Sequence, residues 1–317
     1  MADYTKLIKR LLLLLAVVFV LDRLSGMILE NLFFKQRHGD EQVSIYAVEK
    51  AKEDILIFGS SRASHHYVAG DIEQRMGMTC YNVGRDEMTI TYTAGILPII
   101  YKRYTPKVII LEMLPTELEN SPDKMIVFQR VATTLLPFLH RHPELASTIK
   151  LAGMPEYLKA RVSAIYPYNS LAGSIVQNTF THLGHSSIKG YEPLDGAIDT
   201  GSYKEPMWKD FNKNYPVDTQ LTQIFQQIIT ITRLHHTRLV TIVSPFYFAN
   251  DFSHSRSYNH IRQMLQEAGC EFYDFSNDTA FVKKPYLFKD DVHLNDSGAH
   301  IYTRKISGIL AQQAAVH

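Results

Sequence analysis

The sequence predicts an α/β protein: a doubly wound, five-stranded parallel sheet, preceded by a membrane helix and interrupted by a helical insertion. Three observations carry this. Short apolar runs recur without polar alternation, as in "DILIFGSS" (Asp54 to Ser61), "KVIILEM" (Lys107 to Met113) and "RLVTIVSPFYF" (Arg238 to Phe248). Strands that are apolar on both sides belong to a sheet covered on both faces. The runs alternate with segments of helical period, the βαβ rhythm of a parallel sheet. Polar residues then cluster just after the runs, at the carboxyl edge where open α/β sheets bind ligands.

Composition narrows the classes. At 317 residues the chain holds one large domain or two small ones, and an apolar share of 45% supplies a sizeable core. Its 33 basic and 32 acidic residues nearly cancel, so no field invites nucleic acid. The 18 Tyr and 16 Phe are read first as core filling, although aromatics also line sugar surfaces. Two cysteines, Cys80 and Cys270, exclude a disulfide framework and a four-cysteine zinc site. Both sit near strand starts and are expected to be inert core thiols.

The N-terminus reads as an uncleaved membrane anchor over residues 1–34. Lys6, Lys9 and Arg10 precede "LLLLLAVVFVL" (Leu11 to Leu21), and a second apolar stretch interrupted by Asp22, Arg23 and Glu30 follows. The continuous run is shorter than a span's usual ~20 residues. A cleaved signal peptide and a buried soluble helix are the alternatives, but no small-x-small cleavage site follows the run. The basic residues ahead of it would keep the N-terminus cytoplasmic, placing the rest of the chain outside the cell membrane as a single-pass protein.

After a polar stretch from Lys35 to Gln42, the α/β domain is expected over 45–317. Strand one ends at Ser61, and "SHHYVAGDIEQRMG" (Ser64 to Gly77) reads as one helix with Ser64 as N-cap and Gly77 as its stop. "TCYNVG" (Thr79 to Gly84) is a short second strand. Glu87 to Tyr104 is helical despite its β-branched residues, with Pro98 as a point of kinking. Strand three is Lys107 to Met113. The rhythm then breaks over about 115–216, which reads as a helical insertion capping the sheet, with a Gly-, Tyr- and Asp-rich loop near 184–215. Alternation resumes with a helix from Asp218 to His236, strand four from Arg238 and a helix from Ser255 to Gly269. Strand five (Glu271 to Ser276) and a last helix capped by Asn295 or Asp296 complete the domain.

The polar edge suggests nucleophilic chemistry. A serine hydroxyl is weak at neutral pH and needs a base within hydrogen-bond reach, itself oriented by a third group. "KDDVHLNDSG" (Lys289 to Gly298) supplies base and orienter from one loop, because Asp290 and His293 lie three residues apart. Ser61 after strand one is the nucleophile candidate. The backbone N–H groups of Ser61 and Gly84 could converge on an oxyanion, with glycine at 84 permitting close approach.

This pattern resembles the SGNH (GDSL-type) hydrolase superfamily. Gly59-Ser60-Ser61-Arg62 stands for its first block, Asn82-Val83-Gly84 for its second and Asp290-Asp291-Val292-His293 for its last. The likeness covers about residues 50–115 and 235–313. With "ILIFGSSRASHHY" and "YNVGRDEMT" it is nearest to membrane-anchored bacterial SGNH-like proteins of envelope and polysaccharide modification. The resemblance implies a flavodoxin-like sheet, a serine esterase or O-acyltransferase working through an acyl-enzyme, and an acylated glycan or small ester as substrate. It implies no cofactor, and a membrane-bound acyl donor protein as a partner. Two departures stand out. "LEMLPTELEN" replaces the third block and lacks its Asn oxyanion donor, so either the backbone donors suffice or Asn82 or Arg85 substitutes. Ser60 also replaces the usual Asp. A missing donor costs about 2.7–4 kcal/mol of transition-state stabilisation. That keeps a non-catalytic carbohydrate-binding or assembly protein as the alternative.

Other candidates weigh less. Gly59 to Ala63 nearly matches the nucleophile elbow of α/β-hydrolases, but there the elbow follows several strands and acid and base come from different loops. Arg62 could hold an anionic substrate group or an ion pair. Of His65 and His66, at most one can reach the pocket, and His65 is kept as a substrate contact. Asp291 could replace Asp290 as orienter. His140 with His142, and His182 with His185, have metal-like spacing but lack a third ligand, so no metal site is expected. His235 and His236 suit a helix end. No phosphate loop or dinucleotide fingerprint occurs.

Overall fold

The computed structural model describes residues 2–180, 187–201 and 213–314. In chain order the elements are α1 (Ala2–Phe33), α2 (Asp40–Glu49), β1 (Ile55–Phe58), α3 (Ser61–His66), α4 (Ala69–Met76), β2 (Cys80–Asn82), α5 (Ile90–Arg103) and β3 (Val108–Glu112). Then follow α6 (Lys124–Leu135), α7 (Ala146–Lys150), α8 (Met154–Val162), α9 (Ala172–Phe180), α10 (Thr219–Leu234), β4 (Arg238–Val243), α11 (Arg256–Ala268), β5 (Glu271–Asp274) and α12 (Asp296–Ala314). All strand pairs are parallel, in the order β2-β1-β3-β4-β5. The expected doubly wound α/β class is the class found.

The apolar strands split their side chains between two cores. Leu56, Phe58, Ile109 and Leu111 face one cluster with α2, α5 and α10, while Ile55, Ile57, Val108 and Ile110 face another with α4 and α12. The period-2 pleat makes this division, and helices on both faces explain why no polar residue is needed on either side. Edge strand β5 is only partly buried, and Cys270 just before it is half-exposed, whereas Cys80 on β2 is buried. The thiol at 270 is therefore less enclosed than expected, because β4 covers only one edge of that strand.

Three local differences from expectation have physical causes. The single helix expected after strand one is two, α3 and α4, broken where Tyr67 and Val68 turn extended. There the Tyr67 carbonyl accepts from Asn82 and the Val68 amide donates to Thr303 Oγ1, so tertiary partners replace helical bonds. Ser64 does not cap a helix; its hydroxyl donates to the Ser61 carbonyl and bonds Asp86. α2 starts inside the polar stretch at Asp40 and runs past the expected domain start at 45; it is entered through Gly39 at φ 79° and buries Val43, Ile45, Ala47 and Val48. Pro98, by contrast, sits inside α5 without ending it.

The insertion leaves the sheet through a narrow neck, where Glu119 and Val217 form an antiparallel bridge. α1 is one continuous helix, and Tyr4–Phe33 is long and apolar enough to cross a membrane. Large apolar side chains from Tyr4 to Leu21 are exposed. From Asp22 onward the same helix docks on the insertion. Asp22 accepts from Ser163 Oγ (2.5 Å) and the Ala164 amide (2.8 Å), Gly26 lies against Ala164, and Phe33 is buried against Phe138 and Tyr168.

Candidate active site

β1 ends in the turn Gly59-Ser60, and α3 begins directly at Ser61. Gly59 adopts φ 148°, and a Cβ there would stand 2.8 Å from the Glu112 carbonyl oxygen, so glycine is required where β1 passes β3. The strand order reverses direction between β1 and β3, which makes this the switch-point crevice of the sheet. The loop between β5 and α12 returns to the same edge. Asn295 caps α12 by accepting from the Gly298 amide at 2.9 Å, as the sequence suggested.

These two turns bring three groups into line. Ser61 Oγ lies 2.8 Å from His293 Nε2, and His293 Nδ1 lies 2.9 Å from Asp290 Oδ2. Asp290 also accepts the amides of Val292 and His293, so its carboxylate is fixed by its own loop. Burial alone would push this carboxyl up, but the hydrogen bond and charge of His293, with the two amides, hold it below its ordinary value. An ionised Asp290 on Nδ1 assigns the proton to that nitrogen and leaves Nε2 free to accept from the serine. Ser61 and His293 are half-buried, so the group is reachable from solvent.

Arg62 does not reach a substrate. It is 2% exposed, turned inward, and bonded through Nε to Glu112 Oε1 at 2.9 Å. Its other nitrogens donate to Ser244 Oγ and to the carbonyls of Ser244 and Val292, and its guanidinium lies 3.8 Å from the Phe246 ring centroid. Arg62 thus ties the Ser61 turn to the ends of β3 and β4 and to the His293 loop. Glu112, which also accepts from Tyr67 and Ser244, is the anchor the sequence reading missed. A lone acid inside "KVIILEM" was the signal available. His66 is fully buried and pushed well down, first by burial and then by the charge of Arg62, so it is neutral. It accepts from the Leu294 amide at Nε2 and bonds Ser244 Oγ through Nδ1, holding the same loop.

His65 is likewise no free substrate contact. Its Nδ1 donates to the Glu192 carbonyl at 2.7 Å, its Nε2 lies 3.4 Å from Asp86 Oδ1, and its ring stands edge-on to His293. Glu192 belongs to a strap, residues 187–201, that crosses from the end of β2 to the His293 loop. Along it the Lys189 carbonyl accepts from Asn82, the Glu192 amide donates to Ser64, and the Leu194 carbonyl accepts from Asp296.

Burial works to lower the His65 pKa, but the Asp86 carboxylate and the Glu192 carbonyl overcome it and raise the pKa above its ordinary 6.5. The stabilisation is therefore complete below about pH 6.5 and is lost as pH rises through the folded-state value. Urea midpoints of the chain and of His65→Gln are expected to differ most near pH 5.5 and to converge as pH rises. A gap that widens with pH would contradict this pairing.

The oxyanion donors differ most from expectation. The Gly84 amide donates to Asn82 Oδ1 at 2.9 Å, and the Asn82 amide nitrogen is engaged by the carbonyls of Ala63 and Tyr67. Arg85 turns away to Ser44 Oγ and Glu41, both buried. Of the expected donors, the Ser61 amide remains: it belongs to the open first turn of α3, whose Ala63 and Ser64 amides are closed by the Ser60 carbonyl. Gly84 does permit close approach, but to α3 itself. A Cβ there would lie 2.5 Å from Ala63 Cβ and 2.6 Å from the Ser64 nitrogen. Gly84→Ala is therefore expected to shift α3 and slow ester turnover roughly 100-fold, since a displacement of ~1 Å has that cost. Wild-type rates of turnover and active-serine labelling would show that α3 does not depend on this packing.

No cluster of three or more metal-ligating side chains occurs among the described residues. His142 bonds Glu49, His235 stacks on Tyr101, and His182 and His185 lie outside the described residues. Asp290, not Asp291, contacts the imidazole.

A serine at the strand-one turn thus faces an Asp-x-x-His loop across the carboxyl edge of a five-stranded parallel α/β sheet. Solved structures with similar folds include an acetyl xylan esterase, at TM-score 0.36 and 13% identity, over 83% of this chain and 100% of that one. A putative acylhydrolase from Bacteroides fragilis matches at TM-score 0.38 and 8% identity, over 84% of this chain and 93% of that one. A family two carbohydrate esterase from Clostridium thermocellum, solved with cellohexaose, matches at TM-score 0.35 and 10% identity, over 82% and 64% of the two chains. No family model and no curated protein matches the sequence. Such distant likeness says nothing about the site, whose chemistry follows from its own geometry.

Proposed function

We propose that this chain is a membrane-anchored, serine-dependent esterase or O-acyltransferase acting outside the cytoplasm on an acylated glycan or small ester. The Ser61–His293–Asp290 alignment is the observation that carries this. As Ser61 Oγ forms a bond to the ester carbonyl carbon, its proton passes to His293 Nε2. The carbonyl π pair becomes an oxyanion, which the Ser61 amide is placed to receive. When the tetrahedral adduct collapses, the alkoxide leaves with the proton from His293, and the acyl group stays on Ser61. Water or a glycan hydroxyl then attacks, giving its proton to His293, and as the acyl group leaves as acid or as new ester His293 Nε2 returns that proton to Ser61 Oγ. Asp290 keeps the imidazole in the required tautomer and stabilises its charged form throughout.

With Gly84, Asn82 and Arg85 engaged elsewhere, slow and acceptor-selective transfer suits this site better than rapid hydrolysis. A membrane-bound acyl donor protein is the partner that the family resemblance suggests for such transfer. The same observation favours the second reading, a glycan-binding protein without turnover. A fluorophosphonate probe separates them. Labelling of the chain that disappears in Ser61→Ala supports the enzyme, and an unlabelled chain that still binds glycan supports the second reading. Protease applied to spheroplasts is expected to cut the domain; protection would place it in the cytoplasm.

A further inference from the structure

α8 packs Tyr157 and Ala160 against the core but turns its other large apolar side chains outward. It has no buried residue, and Met154, Leu158 and Val162 are 52%, 52% and 74% exposed. Spaced four apart, they form one outward stripe. On another side of the helix Glu156, part-exposed, bonds Lys159 (2.7 Å) and the Tyr166 hydroxyl. Lys159 and Arg161 flank the stripe. An outward apolar stripe with cations beside it is one feature that helices lying in a membrane surface share.

Its place in the fold agrees. The Val162 carbonyl at the end of α8 accepts from Arg23, and the next three residues bond Asp22. These are the residues at which α1 passes from its exposed apolar stretch to its docked part. On that part Leu24, Met27 and Ile28 stay 53%, 67% and 61% exposed, so the apolar surface of α1 continues past the level of α8. At about 1.5 Å per residue, Tyr4–Leu21 comes close to the ~30 Å thickness of a hydrocarbon core, provided that Lys6, Lys9 and Arg10 reach back along the helix to the far headgroups. A cavity of about 270 Å³ opens between α1 and the α8 segment, lined by Arg23, Arg161, His140 and Glu30 with Met27 and Leu139. Cations there suit lipid phosphates at the headgroup level.

We infer that α8 lies in the membrane surface beside the α1 span, its Met154–Leu158–Val162 stripe about 5–10 Å into the headgroup and acyl boundary. Because α1 is fixed to the insertion through Asp22, Arg23 and Phe33, two attachments hold the domain at one tilt and present the Ser61 edge at a set height. The inference rests on α1 being a membrane span.

Spin labels test it on the full chain in liposomes. Single cysteines are placed at Leu158→Cys and Val162→Cys in a Cys80→Ala, Cys270→Ala background, with Leu14→Cys as span control and Glu267→Cys as aqueous control. The expected result is a ratio of oxygen to nickel-chelate accessibility at 158 and 162 shifted from the Glu267→Cys value toward that of Leu14→Cys. Values equal to Glu267→Cys, with Leu14→Cys in lipid, overturn the inference and leave the span intact. Labels at 158 and 162 shielded from both reagents also overturn it, since a protein partner would then cover the stripe. An aqueous signal at Leu14→Cys overturns the span itself, and the inference with it.

Discussion

Ser61→Ala is expected to abolish ester turnover and fluorophosphonate labelling while leaving the fold unchanged by circular dichroism. In a triad that acts as a unit, removing nucleophile or base costs on the order of 10⁶ in kcat, and removing the orienting acid about 10⁴. His293→Ala should match Ser61→Ala, and Asp290→Asn should lose less. The double variant Ser61→Ala/His293→Ala should be no worse than either single one, because the 2.8 Å hydroxyl–imidazole contact has no value once one member is gone. Turnover in Ser61→Ala within tenfold of wild type would end the assignment. So would a double variant much slower than both single ones, which would imply two separate mechanisms.

The largest effect on stability is expected at the Arg62–Glu112 pair. Both residues are almost fully buried, 2.9 Å apart, and Glu112 also accepts from Tyr67 and Ser244. Removing one member leaves the other charge buried without its partner, which typically costs about 3–5 kcal/mol. Arg62→Ala and Glu112→Ala are each expected to lower unfolding free energy by that amount, measured by urea titration of the detergent-solubilised chain. Arg62→Met/Glu112→Leu should lose less than the sum, because an apolar pair strands no charge. Losses under about 1 kcal/mol in both single variants would show that water reaches the pair. Since Arg62 also holds the Ser244 and Val292 carbonyls, Arg62→Ala should slow labelling of Ser61 even where the chain stays folded.

Much of the architecture was legible before any coordinates. The runs "ILIF", "VIILE" and "RLVTIV" are apolar throughout, and such stretches have one economical fate, a strand covered on both faces. The spacing of Asp290 and His293 is local, so one turn sufficed to bring them together. Less legible were α2, whose charged first turn resembles a linker, and the break at Tyr67–Val68, which depends on Asn82 and Thr303 far along the chain.

From its sequence alone this protein determined its α/β class, its apolar N-terminal helix and the three residues of its candidate triad. The first two and the Asp290–His293 pair rest on local pattern, hydrophobic period and short-range spacing, whereas Ser61, 232 positions from His293, was read from its place after strand one and from the family resemblance. Only the tertiary structure decided where the polar side chains point. Arg62, His65, Asn82 and Arg85 look like pocket residues in a string of letters, yet each is held by a partner more than a dozen positions away. A buried polar group must find a hydrogen bond wherever the fold supplies one, and that supply is a property of packing, not of neighbouring residues.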